Sequence, residues 1–246
     1  MNFFNRGGDC HVATDGNFNH RHRQSAGDNL PSQDTPYFLP KAFVDAVGDR
    51  IESRRKRPAK SYIHKVPDEA VDDCENAHEA ASDKKWHSST EVFDDTRVMA
   101  LVCRHDIPLF FANIDTPGEQ QKYAVALFEH LFSLLPLQAT VVGLYDIGCV
   151  LDRSLYMVRC HFLRVVFINS EVPQYDILPS STRERLMFAT SAMHAYAHQW
   201  SCQLIYNPRL RTGLGLTDGE GVKRIWSRLR KLIGIERTSS VGHFPH

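Results

Sequence analysis

The chain has 246 residues, of which 42% are hydrophobic. This is enough for one sizeable core, and a single domain with an extra segment threaded through it is the simplest organisation. The 29 basic and 29 acidic side chains give a formal net charge of zero. Overall charge therefore provides no argument for nucleic-acid binding, and any such argument must be local.

The six cysteines are scattered through the chain: Cys10, Cys74, Cys103, Cys149, Cys160 and Cys202. The sequence begins MNFFNRGGDC, without the basic stretch and apolar run of a secretory signal. Reduced thiols or metal ligands are therefore expected rather than a disulfide framework. The most apolar region, residues 123–150, is interrupted by Glu129, Pro136 and Asp146. It predicts core packing, and no segment is expected to cross a membrane.

Residues 11–18 predict a first strand that runs into a Gly-Asn turn. The composition changes over residues 37–92, where a short helical stretch, PKAFVDAVGDRIES, leads into RRKRPAK and then into the acidic run PDEAVDDCENAHEAASD. Charge blocks of this kind are usually solvated or disordered. We interpret 37–92 as a charged, partly disordered insertion within a single domain that spans residues 1–246.

A compact pattern of strands and a helix follows the insertion. The apolar runs RVMALV and PLFFANI, separated by the polar tetrapeptide CRHD, predict a hairpin or adjacent strands. The stretch TPGEQQKYAVALFEHLFSLLP predicts a helix that begins near Thr116 or Pro117 and stops at Pro136. Its predicted buried face consists of Val125, Phe128, Leu131, Phe132 and Leu135. The β-branched run ATVVGLYD predicts a further strand.

Three carboxylates stand where an apolar element ends or an amphipathic helix begins. Asp15 ends CHVATD, Asp146 ends ATVVGLYD, and Glu220 lies in GLTDGEG just before a helix. Ligand crevices of α/β proteins form at such positions. Divalent ions such as Mg²⁺ or Mn²⁺ need oxygen ligands, and two ions about 4 Å apart can hold both reacting oxygens of a phosphodiester. The acids predict a two-metal phosphoryl-transfer site, although each alone also fits a helix cap or a turn.

The order of predicted elements is strand, insertion, strand, strand, helix, strand. With acidic residues at two strand ends, this order is typical of the ribonuclease H-like fold, in which three antiparallel strands are followed by a helix and a parallel strand. We therefore predict an α/β fold with a ribonuclease H-like mixed sheet flanked by helices, and with the charged insertion after the first strand.

Six ordered stretches carry a family resemblance: TDGNF, ALVCRHDIPLFF, TPGEQQKYAVALFEHLF, LYDIGC, AMHAYAHQWSCQ and GLGLTDGEGVKRIWSRL. With these stretches, the chain resembles the catalytic domain of the Kyakuja-Dileera-Zisupton transposases of fungal genomes. The resemblance covers nearly the whole chain, insertion included.

The resemblance implies a DDE-type DNA transposase that uses divalent metal ions to hydrolyse phosphodiester bonds and transfer strands at transposon ends in the nucleus. Asp15 matches the acidic residue of the DGNF motif, Asp146 that of YDIGC, and Glu220 that of TDGEG. Asp94 in FDDT is the alternative first acid, but Asp15 is preferred because the first acid of this fold belongs on the first strand. The implied partners are DNA and, because two DNA ends must meet, a second copy of the chain.

Two departures from the family pattern leave an alternative open. Arg97 stands where the family usually has a glycine, and arginine adopts a positive φ angle only at a cost. Family members also carry further regions before and after this domain, whereas this chain begins close to the first strand and ends at His246. The alternative is a truncated, inactive or domesticated transposase that acts as a DNA-binding protein. A nuclease that resolves nucleic-acid junctions is a third interpretation.

Basic residues that are candidates for contacting DNA backbone occur in three places. They are Arg21 and Arg23 in HRHR, Arg54, Arg55, Lys56 and Arg57 in SRRKRPAK, and Arg224 and Lys231 on the last predicted helix. On that helix, Arg224 and Lys231 are expected on the side of Glu220. SRRKRPAK also fits a nuclear import signal, and a solvated basic face is the simpler interpretation of the helix.

A second metal site is suggested by three residues spaced four apart, His194, His198 and Cys202. A step of four residues turns a helix by only about 40°, so the three side chains would share one stripe. Zinc needs four soft or borderline ligands. The further candidates are Cys103, His105 and Cys149. Buried cysteines and hydrogen-bonded histidines without metal are the alternative.

Overall fold

The computed structural model describes residues 8–17, 19, 36–55, 65–83, 97–116, 120–156 and 177–236. Its strands are β1 (Cys10–Asn17), β2 (Arg97–Cys103), β3 (Pro108–Ile114), β4 (Val141–Tyr145) and β5 (Leu186–Ala189). Its α-helices are α1 (Lys41–Arg55), α2 (Asp68–Asp83), α3 (Gln121–Leu134), α4 (Gly148–Tyr156), α5 (Ser180–Arg183), α6 (Ala192–Ala195), α7 (Trp200–Tyr206), α8 (Gly221–Leu229) and α9 (Ile233–Glu236). Short 3₁₀ turns lie at Pro208–Leu210 and Arg230–Leu232.

The five strands form one mixed sheet in the order β3-β2-β1-β4-β5. The β1–β2 and β2–β3 pairs are antiparallel, while the β1–β4 and β4–β5 pairs are parallel. The predictions of a hairpin from RVMALV and PLFFANI and of an α/β protein with a mixed sheet flanked by helices are therefore confirmed. Within the described part of the chain, no helix is long and apolar enough to span a membrane.

The sheet is buried on both faces, because alternate side chains of a strand point to opposite sides. One face packs against α1 and α3, and its core includes Val12, Met99, Leu101, Ile114, Val141 and Phe188 from the strands. The other face packs against α8, and its core includes Ala13, Ala100, Val102, Val142, Leu144 and Ala189 with Val222 and Ile225 of the helix. Three of the six strand residues in this second set are alanines, which leave room for α8 against the sheet.

The helix α3 has the predicted buried face. Val125, Phe128, Leu131 and Phe132 are all buried, and Leu135 is partly buried at the edge of the same core. The helix begins at Gln121, later than expected, and ends at Leu134, just before Pro136.

Within the predicted insertion, the acidic run forms a helix that packs on the core, with Asp72 and Asp73 exposed. Residues Asp68–Asp83 form the helix α2, and Val71 and Cys74, one turn apart, are buried. Arg153 of α4 donates hydrogen bonds to Asp72 at 2.6 Å and to Glu75 at 2.9 Å. The acids thus surround a basic side chain of the core, which offsets their mutual repulsion. The domain boundaries stay predictions.

The expected backbone cost at Arg97 does not arise. Arg97 lies at the start of β2, pairs with Ile114 and is buried, with 3% of its surface exposed. Among the described residues, Asp106 is the one non-glycine residue with a positive φ angle. Arginine at position 97 therefore adopts ordinary extended backbone.

We expect Gly143→Ala to destabilise the protein, because a Cβ at this position in β4 would lie 2.6 Å from the ring of Phe128 and 3.3 Å from that of Phe188. Overpacking of this kind typically costs about 1–3 kcal/mol of unfolding free energy, which urea denaturation would measure. Gly234→Ala is the matched control, because a Cβ there meets nothing within 4 Å. Equal stability of the two variants would contradict the packing described for β4.

Candidate functional site

The parallel strands β1 and β4 bring two aspartates together near their carboxyl-terminal ends. Their parallel register pairs Thr14 with Tyr145, and each of these residues is followed directly by an aspartate, Asp15 or Asp146. Ala13 packs on the α8 side of the sheet, so the alternation of the strand directs Asp15 to that side as well. The two acids that the sequence placed on different strands therefore lie beside each other.

Glu220 is the residue before α8, and a glycine turn positions it. Gly219 has a φ of 74°, and a Cβ there would lie 2.9 Å from the side chain of Leu144, so this turn requires glycine. The backbone N–H of Glu220 donates to Asp218 Oδ1 at 2.9 Å. The Glu220 carboxylate accepts a hydrogen bond from the backbone N–H of Met193 at 2.9 Å. Both ends of Glu220 are thus held.

A lysine ammonium group connects the three carboxylates. Lys223 Nζ lies 3.8 Å from Asp15 Oδ2, 3.7 Å from Asp146 Oδ2 and 3.1 Å from Glu220 Oε2. Lys223 follows Glu220 by three residues on α8, so the two side chains share a helix face. We call Asp15, Asp146, Glu220 and Lys223 the acid site. It joins β1, the end of β4 and the start of α8 around one positive charge.

Two further side chains support Asp146. Ser191 Oγ donates a hydrogen bond to Asp146 Oδ1 at 2.7 Å, and His194 Nδ1 lies 2.9 Å from the same oxygen. Burial by itself would raise the pKa of the Asp146 carboxyl, but His194, Lys223 and Ser191 together hold the pKa below its usual value. Asp146 is therefore a carboxylate at neutral pH despite its burial.

The electrostatics of the acid site favour cations. Burial by itself would lower the pKa of Lys223, but Asp146, Asp15 and Glu220 outweigh it and raise the pKa above its ordinary value. Three carboxylates thus face a single ammonium charge. This arrangement of oxygen donors can also receive divalent cations, which prefer such ligands.

A second cluster lies behind Asp146. The ligand atoms of Cys74, Cys149, His198 and Cys202 all lie within 4.8 Å of one another, and the three cysteines are buried. We call these four residues the Cys₃His cluster. Cys74 comes from α2, Cys149 from α4 and Cys202 from α7. Hydrogen bonds from Cys149 and Cys202 lower the pKa of the Cys74 thiol.

Among the described residues, only the Cys₃His cluster has ligand atoms that all lie within 4.8 Å of one another. The carboxylate oxygens of the acid site are therefore more widely separated than the ligand atoms of the cluster. One carboxylate oxygen each of Asp15, Asp146 and Glu220 nevertheless lies within 3.8 Å of Lys223 Nζ. Any two of these three oxygens are therefore separated by at most twice that distance.

The candidate zinc ligands are thus divided among three places. Cys149, His198 and Cys202 come together in the Cys₃His cluster, whereas His194 contacts Asp146 in the acid site. Cys103 Sγ and His105 Nδ1 lie 3.8 Å apart in the turn between β2 and β3 and are not members of the cluster. All five cysteines in the described part of the chain are free thiols, as expected.

The candidate DNA-contacting residues are also placed only in part. Arg224 faces away from the acids of the site, because its guanidinium donates to Asp106 at 2.6 and 2.7 Å and to Asp218 at 2.8 and 3.2 Å. Lys231 is exposed, and Arg54 and Arg55 end α1. The residues outside the described ranges are Arg21, Arg23, Lys56 and Arg57, together with the alternative first acid Asp94.

Two residues of these sites, Lys223 and Cys74, and Ser191, which supports Asp146, were not among the sequence candidates. Lys223 could have been found from its spacing of three residues from Glu220. Cys74 was obscured by the acidic run around it, although Val71 and Cys74 repeat at helical spacing. Ser191 had no sequence signal, because its contact with Asp146 depends on the parallel pairing of β4 and β5.

Comparison with known families adds one finding. A family model described as Kyakuja-Dileera-Zisupton transposase matches residues 9–245, which include all the residues of the acid site and of the Cys₃His cluster. No curated protein and no solved structure matches the chain.

The lowered pKa of Asp146 predicts an acid-dependent loss of stability. A carboxyl whose pKa is lower in the folded state stabilises the fold above its unfolded pKa of about 3.9, and this contribution is lost as the pH falls through the lower folded value. The unfolding free energy of the wild type should therefore fall between about pH 5 and pH 2. In Asp146→Asn this fall should be less steep, by at most about 1.4 kcal/mol per pH unit.

Urea denaturation at a series of pH values without added divalent ions would measure this effect. Other carboxyls with lowered pKa values, such as Asp106 and Asp218, contribute to the decline in both proteins, so the comparison of variants isolates Asp146. Asp49→Asn, at an exposed position of α1, is the control. Parallel pH curves for Asp146→Asn and the wild type would contradict the contacts described for Asp146.

Proposed function

The chain belongs to the Kyakuja-Dileera-Zisupton transposase family, and we propose that it is a DDE-type transposase core. In this proposal it catalyses metal-dependent hydrolysis of phosphodiester bonds and strand transfer at transposon ends. The observation that carries the proposal is the acid site, where three carboxylates from separate elements surround one ammonium group.

The sheet topology supports a ribonuclease H-like fold. Three antiparallel strands precede α3, β4 then pairs in parallel with β1, and β5 pairs in parallel with β4. As far as β4, this is the order predicted from the sequence for that fold. In it, the first acid belongs on the central first strand, where Asp15 lies. Asp15 also shares the contact with Lys223 Nζ with Asp146. Both observations favour Asp15 as the first acid.

The donor set fits divalent metal ions. Asp15, Asp146 and Glu220 offer only carboxylate oxygens, which are the ligands that Mg²⁺ and Mn²⁺ prefer, and they already hold a cation in Lys223. We assign the binding of Mg²⁺ or Mn²⁺ to these three residues. Bound there, the ions would polarise a phosphodiester and activate water or a 3′ hydroxyl group.

The protein groups around the acids keep them charged and oriented. Ser191 Oγ donates a hydrogen bond to one oxygen of Asp146, and the Met193 N–H donates to one oxygen of Glu220. His194 Nδ1 lies 2.9 Å from the same Asp146 oxygen and 2.9 Å from Lys223 Nζ. Lys223 competes with metal ions for the same carboxylates. We expect its ammonium group to leave them when ions bind and then to be free to contact a DNA phosphate.

DNA is the partner that membership of a transposase family implies. The exposed Lys231 and the arginines that end α1 are the described residues that we propose for contacts with its backbone. Arg224 is assigned instead to holding the turn before α8, through Asp106 and Asp218. Assembly as a homodimer, which would bring two DNA ends together, and nuclear localisation belong to the same proposal.

Nicking of supercoiled plasmid DNA in Mn²⁺ tests the catalytic proposal. We expect the wild type to nick the plasmid, and the nicking rates of Asp146→Asn and Glu220→Gln to be more than about 100-fold lower. The reason is that even outer-shell partners of a metal typically contribute 10–100-fold to metal affinity or activity. Glu184→Gln, which removes an exposed carboxylate outside the acid site, is the matched control and should nick normally.

The alternative, an inactive or domesticated DNA-binding protein, predicts a different outcome. A folded wild type that binds DNA but does not nick it, or nicking that survives in Asp146→Asn, would overturn the catalytic proposal. The first of these results would favour the DNA-binding alternative.

A further inference from the structure

The Cys₃His cluster has the composition and spacing of a closed zinc site. Cys149 Sγ and His198 Nδ1 lie 3.4 Å apart, and all four ligand atoms lie within 4.8 Å of one another. In a tetrahedron with Zn–S of about 2.3 Å and Zn–N of about 2.0 Å, neighbouring ligand atoms are roughly 3.5–3.8 Å apart. We propose that Cys74, Cys149, His198 and Cys202 bind one structural Zn²⁺ ion that fastens α2 to α4 and α7 and fixes the backbone at Asp146.

The tautomer of His198 is set for metal binding through Nδ1. His198 Nε2 lies 2.7 Å from the backbone carbonyl oxygen of Asp146. A carbonyl only accepts hydrogen bonds, so Nε2 must carry the proton. Nδ1 of the neutral ring then presents its lone pair to the sulfur atoms. A ligating histidine that donates its other N–H to a carbonyl is the usual second-shell arrangement of zinc sites.

The surroundings of the sulfur atoms fit a structural rather than a catalytic zinc. Cys74, Cys149 and Cys202 are buried, and with His198 they supply all four positions of a tetrahedron. Such a set leaves no place for water or substrate. The backbone N–H of Gln199 points to Cys74 Sγ at 3.5 Å, and N–H donors of this kind stabilise ligating sulfur.

The proposed ion would join segments that are far apart in the sequence. Cys74 lies on α2, within the acidic run, and it is the cysteine farthest along the chain from the other three ligands. Cys149 is the third residue after Asp146, and His198 holds the Asp146 carbonyl. Zinc binding would therefore dock the inserted helix and position the backbone of the second acid at the same time.

The competing account is a cluster of hydrogen-bonded thiols without metal. Cys202 Sγ lies 3.9 Å from the carbonyl oxygen of Ala70 on α2, a contact that a protonated thiol can make. In that account the cluster packs α2 against α7 but has no affinity for zinc. Elemental analysis separates the two accounts without any assay of activity.

The direct experiment is to purify the full chain under reducing conditions without chelators and measure its metal content by mass spectrometry. We expect about one zinc per chain, and Co²⁺ exchanged into the protein should show the intense visible bands of a tetrahedral thiolate site. Cys74→Ser and Cys202→Ser should lose this zinc. Cys103→Ser is the matched control, because Cys103 lies outside the cluster, and it should keep the zinc.

A folded wild type without stoichiometric zinc and without a tetrahedral Co²⁺ spectrum would overturn the proposal. Retention of zinc in both serine variants would do the same. If the variants fail to fold, the wild-type measurements still decide the question. These results do not depend on DNA cleavage, so a failure of the catalytic proposal would leave them unaffected.

The positioning role has its own readout in hydrogen–deuterium exchange. Removal of zinc from the wild type by a chelator should accelerate amide exchange in α2 and in residues 146–151, and added zinc should restore protection. Residues 108–114 of β3, which lie at the opposite edge of the sheet from β5, should change little. Unchanged exchange in α2 and residues 146–151 after zinc removal would contradict the positioning role.

Discussion

The attraction between Lys223 and three carboxylates is the interaction on which the site depends. Asp15, Asp146 and Glu220 come from three separate elements, and their like charges would repel one another without a cation between them. The parallel register of β1 and β4, the glycine turn at Gly219 and the small residues beneath α8 all serve this convergence. The fold thus concentrates negative charge at one edge of the sheet, where divalent ions and the phosphates they hold can meet it.

The acid site and the Cys₃His cluster share a short stretch of chain. Asp146 directly follows β4, and Cys149 lies in the first turn of α4. His198 contacts both places, with one ring nitrogen near Cys149 Sγ and the other at the Asp146 carbonyl. Movement of α2, α4 or α7 would therefore reach the second acid directly. The helix α2 is in this way part of the support of the acid site.

The sequence predicted those features that depend on local pattern. Alternating apolar residues and β-branched runs located both strands of the hairpin and β4. Acids near the carboxyl ends of apolar runs located Asp15, inside β1, and Asp146, directly after β4. Features that depend on distant contacts were not predictable in the same way. The partners of Arg224 lie in the turn between β2 and β3 and in the loop before α8, and Cys74 joins its cluster only because α2 packs against α4 and α7. The acidic composition of α2 also concealed a buried stripe of Val71 and Cys74.

Anomalous diffraction from crystals soaked in Mn²⁺ tests the central claim most directly. The account predicts manganese peaks bounded by the carboxylates of Asp15, Asp146 and Glu220, with the Lys223 ammonium displaced from them, and no such peaks in crystals of Asp146→Asn. Manganese elsewhere on the protein, or none at saturating concentration with Lys223 still between the three acids, would contradict it.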